Sequence, residues 1–286
     1  HRRMTTKSKG ESLRQKITTL SSKIGVRYSN LETAFLIERL VARLMSDRTL
    51  AEHLVFKGGF VGLKVYGSHR YTVDLDAILL KSNIESTLQT VKERAESDLH
   101  DGVWFRFEDQ TDLATQGEYG GIRHIYRAGI GEVLKNLKKA QVVHFDLGIG
   151  DPVTPGPQRT KVPTLLSKDE SLSWSVYPIE TIIAEKLHAI ISHGNQNSRS
   201  KDIYDLGIFL PKADSKILLE ALRRCFEFRE TDMPHSFTKI IESVDTTRLE
   251  KGWASAVGSI TEAPSFKKSF DTVISEIRRL ETTWNN

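Results

Sequence analysis

The chain has a single cysteine, Cys225, in 286 residues. That excludes an internal disulfide and a thiolate cluster around zinc, and it fits a reducing compartment. No apolar run approaches the ~20 residues that a membrane-spanning helix needs. No charged-then-apolar leader pattern is read at the start, so a cytoplasmic location without a membrane partner is the expectation. His1-Arg2-Arg3 ahead of Met4 reads as an appended tail and is set aside. No internal repeat or low-complexity tract is visible. Charge of one sign is also scarce: 41 Lys and Arg stand against 37 Asp and Glu, a net charge of +4. Such a balance permits a polyanionic partner without requiring one. The length predicts two domains.

What is present reads as an α+β half followed by an all-helical half. Residues 11–48 are helical, with Asn30 as a helix N-cap and Leu31, Ala34, Phe35, Ile37, Leu40, Val41 and Leu44 at helix spacing. A short strand over 54–57 is broken by Gly58-Gly59, which opens a helix over 60–66. A buried strand at 75–80 and a charged amphipathic helix at 84–99 follow. Three β-rich runs occupy 103–107, 121–127 and 142–149, and Trp104, Phe105 and Phe107 read as core. Asp151-Pro-Val-Thr-Pro-Gly-Pro is a proline-rich loop, and the tract to about Ser173 reads as a connection. From Pro178 the apolar stripe Ile179, Ile182, Ile183, Leu187 and Ile190 marks a long helix. Further helices are expected near 200–210, 215–228, 236–244 and 265–284. The expected domains are residues 1–170, a mixed sheet with flanking helices, and residues 171–286, a helical bundle.

The chemistry concentrates where apolar strands carry acids. Asp74 and Asp76, two apart on a strand, project to one face. Two bare carboxylates side by side repel, and they take a cation or stay in water. The bland alternative is a strand that starts at the surface. Upstream, Gly58-Gly59 at a strand-to-helix turn presents backbone N–H groups suited to phosphate. A third acid, Asp146, shares a strand face with His144 and Gly148. Three hard carboxylates beside a phosphate cradle describe a Mg²⁺–nucleotide site. His144 itself reads as packed or hydrogen-bonded rather than as a ligand. The lysines Lys135, Lys138 and Lys139 read as a solvated face, with contact to nucleic-acid phosphate as the alternative.

Gly-Gly, then Asp-x-Asp on the next strand, then a later strand Asp, resembles the nucleotidyltransferase superfamily that includes DNA polymerase β. The chain is closer still to the AbiEii/MenT group of toxins from abortive-infection and toxin–antitoxin systems. The stretches that carry this resemblance are Phe56-Lys-Gly-Gly, Arg70-Tyr-Thr-Val-Asp-Leu-Asp, Phe145-Asp-Leu-Gly-Ile-Gly-Asp and Tyr177-Pro-Ile-Glu-Thr-Ile-Ile-Ala-Glu-Lys-Leu-His-Ala. A fifth is Asn197-Ser-Arg-Ser-Lys-Asp-Ile-Tyr-Asp-Leu. Many members have threonine or alanine after the glycine pair; here Phe60 stands there, and its bulk bears on base preference.

The resemblance implies an NTP-dependent enzyme with Mg²⁺, or Mn²⁺ in its place, and with the helical half completing the active site. It implies Asp74, Asp76, Lys186 and Asp205 as catalytic residues and Asp74, Asp76 and Asp146 as metal ligands. Lys57, Gly58, Gly59, Lys64, Arg70, Thr72 and Asp202 are implied as nucleotide contacts. Taken alone, Lys186 is a flank lysine lying past an apolar stripe, and Asp202 is a solvated first-turn acid offsetting the helix dipole. The implied acceptor is the 3′ end of a tRNA, with a cognate antitoxin as partner. Two other readings stay open. One is a transferase that places a nucleotide on a protein hydroxyl. The other is a silent nucleotide- or RNA-binding module, although a binder needs no aspartate triad.

Overall fold

The structure is a computed structural model that describes residues 4–80, 82–113, 121–149, 153–154, 156–193 and 199–286. Gly150, Asp151, Pro152, Pro155, Asn197 and Ser198, which belong to stretches singled out above, lie outside the described residues. The chain divides into two compact units. The first is His1–Phe60, Tyr71–Gly150 and Arg159–Val176; the second is Val61–Arg70, Asp151–Gln158 and Tyr177–Asn286.

The first unit opens with helices α1 (Thr6–Ile24), α2 (Tyr28–Met45) and α3 (Arg48–His53). The helix expected over 11–48 is therefore two helices and the start of a third. Gly25 ends α1 in the left-handed region at φ 70, where a side chain would be strained. The residue before α2 is Arg27, without a side-chain cap, so Asn30 lies inside the first turn rather than capping it. Most of α2 is buried, from Leu31 to Leu44.

A seven-stranded mixed sheet fills the rest of this unit. Its strands are β1 (Leu54–Lys57), β2 (Asp74–Leu79), β3 (Val103–Asp112), β4 (Gly121–Ile130), β5 (Gln141–Ile149), β6 (Gln158–Pro163) and β7 (Ser171–Val176), in the order β3-β4-β5-β2-β1-β7-β6. β2 runs antiparallel to β1 and parallel to β5, and β4 runs antiparallel to both β3 and β5. Helix α4 (Gly58–Lys64) leaves β1 directly, and α5 (Ile84–Ala95), capped by Asn83, follows β2. This is the α+β architecture expected. The tract read as a connection contains β6 and β7 instead. β6 is largely exposed, with Val162 as its one buried residue, and β7 buries only Trp174 and Val176, so both lack the apolar run of a central strand. Trp174 packs edge-on against Phe56 at 5.2 Å and lies 5.9 Å from Phe60, which is itself buried. Phe60 is thus a core residue and does not line an open site.

One buried cation ties α2 to the sheet. Arg43, with no exposed side-chain surface, forks onto Asp101 at 2.9 and 3.0 Å and donates to the carbonyls of Ser97 and Val103. Its guanidinium also lies 5.0 Å from the Phe105 ring centre. Burial raises the Asp101 carboxyl, but Arg43 and Arg39 more than reverse this and hold it below the usual range.

The second unit carries α6 (Ile179–His193), α7 (Ser200–Phe209), α8 (Ser215–Phe228), α9 (Phe237–Glu242), α10 (Thr247–Ala256) and α11 (Phe266–Trp284). Asp214, Ser236 and Ser265 cap α8, α9 and α11. α10 was not expected, because only Leu249 and Trp253 of it are buried. Among the described residues no helix is long and apolar enough to cross a membrane.

Replacing Arg43 with leucine would leave Arg39 to hold the Asp101 carboxylate and would take the guanidinium from the Ser97 and Val103 carbonyls. We expect R43L to lose about 3 kcal/mol of stability in chemical denaturation, and D101N to lose less, since Arg43 would keep its carbonyl partners.

Candidate active site

The acidic face of the first unit follows from strand alternation. Along β2, half-buried Asp74 and Asp76 alternate with buried Leu75 and Ala77, so both acids share one face. Register then sets their neighbours. Lys57 of β1 stands opposite Asp76, Asp146 of β5 stands on its other side, and Arg123 of β4 stands opposite Asp146. The row across the sheet therefore reads Lys57, Asp76, Asp146, Arg123. One step along, Asp74 faces His144, whose Nδ1 lies 2.9 Å from the Asp74 Oδ1. Thr72 supports the approach to β2, its hydroxyl oxygen accepting from the Asp74 amide at 3.2 Å.

Gly58 is shaped for this face. Its φ is +76, and a Cβ added there would meet the Asp76 Oδ2 at 2.2 Å. Both the backbone and the space require glycine. Gly59 follows in the first turn of α4, and Lys64 closes that helix, half-buried.

Arg123 was read only as part of a β-rich run. Its Nε and Nη2 donate to the two oxygens of Asp146 at 2.7 and 2.8 Å, and its Nη2 lies 4.0 Å from the Asp74 Oδ1. Hydrogen bonding to Asp146 drives the guanidinium further up from its ordinary value, with the charges of Asp146, Asp74 and Asp76 adding to this. A basic residue inside an apolar strand run was the available signal.

Asp74 and Asp76 fit a hard divalent cation. They offer carboxylate oxygens on one face, beside volume that any residue but glycine would fill. Mg²⁺ is usually held by one or two carboxylates together with waters and substrate phosphates. Arg123 holds both oxygens of Asp146, the third acid expected as a ligand. Among the described residues, no three His, Cys, Asp or Glu side chains converge as a metal group.

The second unit holds a separate, buried network. Asp202 and Asp205 lie one turn apart on α7, and both are buried. Lys186 of α6 reaches Asp202 at 2.8 Å and Asp205 at 3.2 Å. Arg70 forks onto Asp205 at 2.6 and 3.2 Å, and its amide donates to the Ser68 hydroxyl. Arg199 lies 3.5 Å from the second Asp202 oxygen, which accepts no hydrogen bond. Asp202 is therefore not the solvated first-turn acid of the bland reading, and Lys186 is not a flank lysine in water. Burial works against both charged partners. It lowers Lys186, but Asp202 and Asp205 raise it more; it raises Asp205, but Lys186 and Arg70 hold it below the carboxylate range.

Residues 39–276 match the family described as "Nucleotidyl transferase AbiEii toxin, Type IV TA system". No curated protein matches the chain in sequence. Among solved structures, JHP933 from Helicobacter pylori aligns at a TM-score of 0.54 and 18% identity, over 90% of this chain and 94% of that one. A candidate nucleotidyltransferase from H. pylori aligns at 0.56 and 17%, over 90% and 97%. Likeness at that identity speaks for the fold alone.

Two outcomes follow from the geometry. G58A forces a left-handed alanine against Asp76, and we expect a loss of about 1–2 kcal/mol in denaturation. K186M removes the cation that two buried carboxylates share, and we expect about 3 kcal/mol lost, with K186R restoring part of it.

Proposed function

The chain belongs to the AbiEii nucleotidyltransferase toxin family, and from that premise we propose a specific reaction for it. Membership makes it an NTP-dependent nucleotidyltransferase of a toxin–antitoxin system, with an antitoxin as counterpart. The proposed step moves a nucleoside monophosphate from the NTP to the 3′ hydroxyl of a tRNA, with release of pyrophosphate, in the cytoplasm. The observation that carries the reading is the Asp74–Asp76 pair on one strand face, seated against a glycine that leaves room beside it.

Asp74 and Asp76 would hold Mg²⁺, or Mn²⁺ in its place. When bound, the metal neutralises charge on the attacking and leaving oxygens of an in-line displacement. His144 orients the Asp74 carboxylate through its hydrogen bond, as outer partners of metal ligands do. Gly58 and Gly59 offer backbone N–H groups to the triphosphate, with Lys57, Lys64 and Thr72 as further nucleotide contacts. Lys186 and Asp205 are assigned catalytic roles as a charged, buried pair. Arg70 and Asp202 act through that pair by fixing its geometry. For a tRNA acceptor the support is electrostatic: a net charge of +4 and the exposed Lys135, Lys138 and Lys139 between β4 and β5.

The test is transfer of label from each of the four NTPs, with Mg²⁺, to total tRNA or to protein. D76N should abolish transfer with an unchanged melting temperature, because Asp76 is half-buried and loses charge rather than shape. Expression should arrest bacterial growth, and D74A should relieve the arrest. Label on protein instead of tRNA would favour a protein-modifying transferase. Near-normal transfer by a folded D76N would remove the carboxylate assignment.

A further inference from the structure

Three acids share the first unit's strand face, yet they are not equivalent. Asp74 and Asp76 are half-buried at the start of β2, whereas Asp146 is buried and paired. Its partner is not an incidental surface charge. Arg123 stands in direct register on the adjacent strand, and its planar fork fills both carboxylate oxygens at 2.7 and 2.8 Å. Two parallel charge-assisted bonds of this kind are both strong and geometrically exacting. The guanidinium also stands 4.0 Å from Asp74, where its charge repels any second cation approaching that side of the face.

We infer that Arg123 is a resident counter-cation that withholds Asp146 from metal, so that the nucleotide-free chain loads a divalent cation through Asp74 and Asp76 alone. The inference rests on the metal reading of those two acids given above. A guanidinium and a metal ion compete for the same two oxygens. Asp146 becomes available as a ligand only when Arg123 lets go. Arg123 acts through Asp146 and is a positioning residue, neither a ligand nor a group that touches the reacting atoms. A purely structural Arg123 would stabilise the sheet without changing how the face takes up metal, and that difference is measurable.

The experiment is titration of the full-length, nucleotide-free protein with Mn²⁺, read by calorimetry and by the electron paramagnetic resonance of free Mn²⁺. With Arg123 in place, D76N should weaken Mn²⁺ binding strongly while D146N barely changes it. R123Q should tighten binding by about tenfold, because it removes a positive charge that stands beside the carboxylates and competes for Asp146. Adding D146N to R123Q should cancel that gain, and R123K, which keeps the charge, should lie nearer the native chain than R123Q. R123Q that folds and binds Mn²⁺ no more tightly would overturn the inference. So would D146N weakening Mn²⁺ as much as D76N does, a comparison that holds even if R123Q fails to fold. If D76N leaves Mn²⁺ binding intact, the metal reading itself falls, and this inference falls with it.

Discussion

Everything on the acidic face depends on one register: β2 and β5 run parallel with Asp76 beside Asp146. Neighbouring strands are separated by roughly 4.8 Å. Two like charges that close repel by about 3 kcal/mol even with the effective screening of a protein surface. A sheet that places two carboxylates there needs positive charge on both sides. The strand order supplies it. β1 brings Lys57 to one flank of the pair and β4 brings Arg123 to the other. Ordering β1 and β4 outside β2 and β5 is therefore an electrostatic condition for the acids, as well as a consequence of chain connectivity.

The second unit meets the same problem by another route. On the first unit's face, Asp74 and Asp76 keep partial contact with solvent. In the second unit, Asp205 is almost wholly buried, and it stays charged only because Lys186 and Arg70 are fixed beside it. Buried ion pairs of this sort give little net stability over an apolar core, but breaking one partner is costly. Their presence points to charge being needed at that place. Arg43 and Asp101 show the structural counterpart, where the fork is spent on carbonyls and one acid and no donor faces a site.

How far the sequence announced this differs by element. Alternation around Asp74 and Asp76 put both on one face, and the strand shows that. Gly58 was legible as a turn, but its second reason, the Asp76 oxygen that a Cβ would strike, needed coordinates. Helices with a clear apolar stripe and a cap, such as α8 and α11, were placed closely. The helices and strands that were missed carry one or two buried residues each: α10 has Leu249 and Trp253, and β6 has Val162. Such elements hold their shape through tertiary contacts, and periodicity cannot show them. Arg123 escaped for a related reason. Its meaning lies in its register partner on β5, and register between strands is not written in either strand alone. The burial of Asp202 was hidden likewise, since a first-turn acid in water and one facing a lysine from another helix share the same local sequence.

The charges named at the two places do not balance, and the imbalances have opposite sign. On the acidic face Asp74, Asp76 and Asp146 outnumber Lys57 and Arg123 by one. In the helical unit's network Lys186, Arg70 and Arg199 outnumber Asp202 and Asp205 by one. In the reaction proposed above, the acidic face would take the cation and the basic network would favour an anion. A divalent metal and a nucleoside triphosphate have those two characters, and they are the substrate and cofactor that nucleotidyl transfer uses. In that proposed reaction the Lys186 charge, shared between two carboxylates, would act as part of that network and not as an isolated ammonium. Its contribution to the reaction would then be set by how firmly Asp202 and Asp205 hold it. That firmness is a property of the helical unit's core, where α6 and α7 are packed by Ile183, Leu187, Ile203 and Leu206.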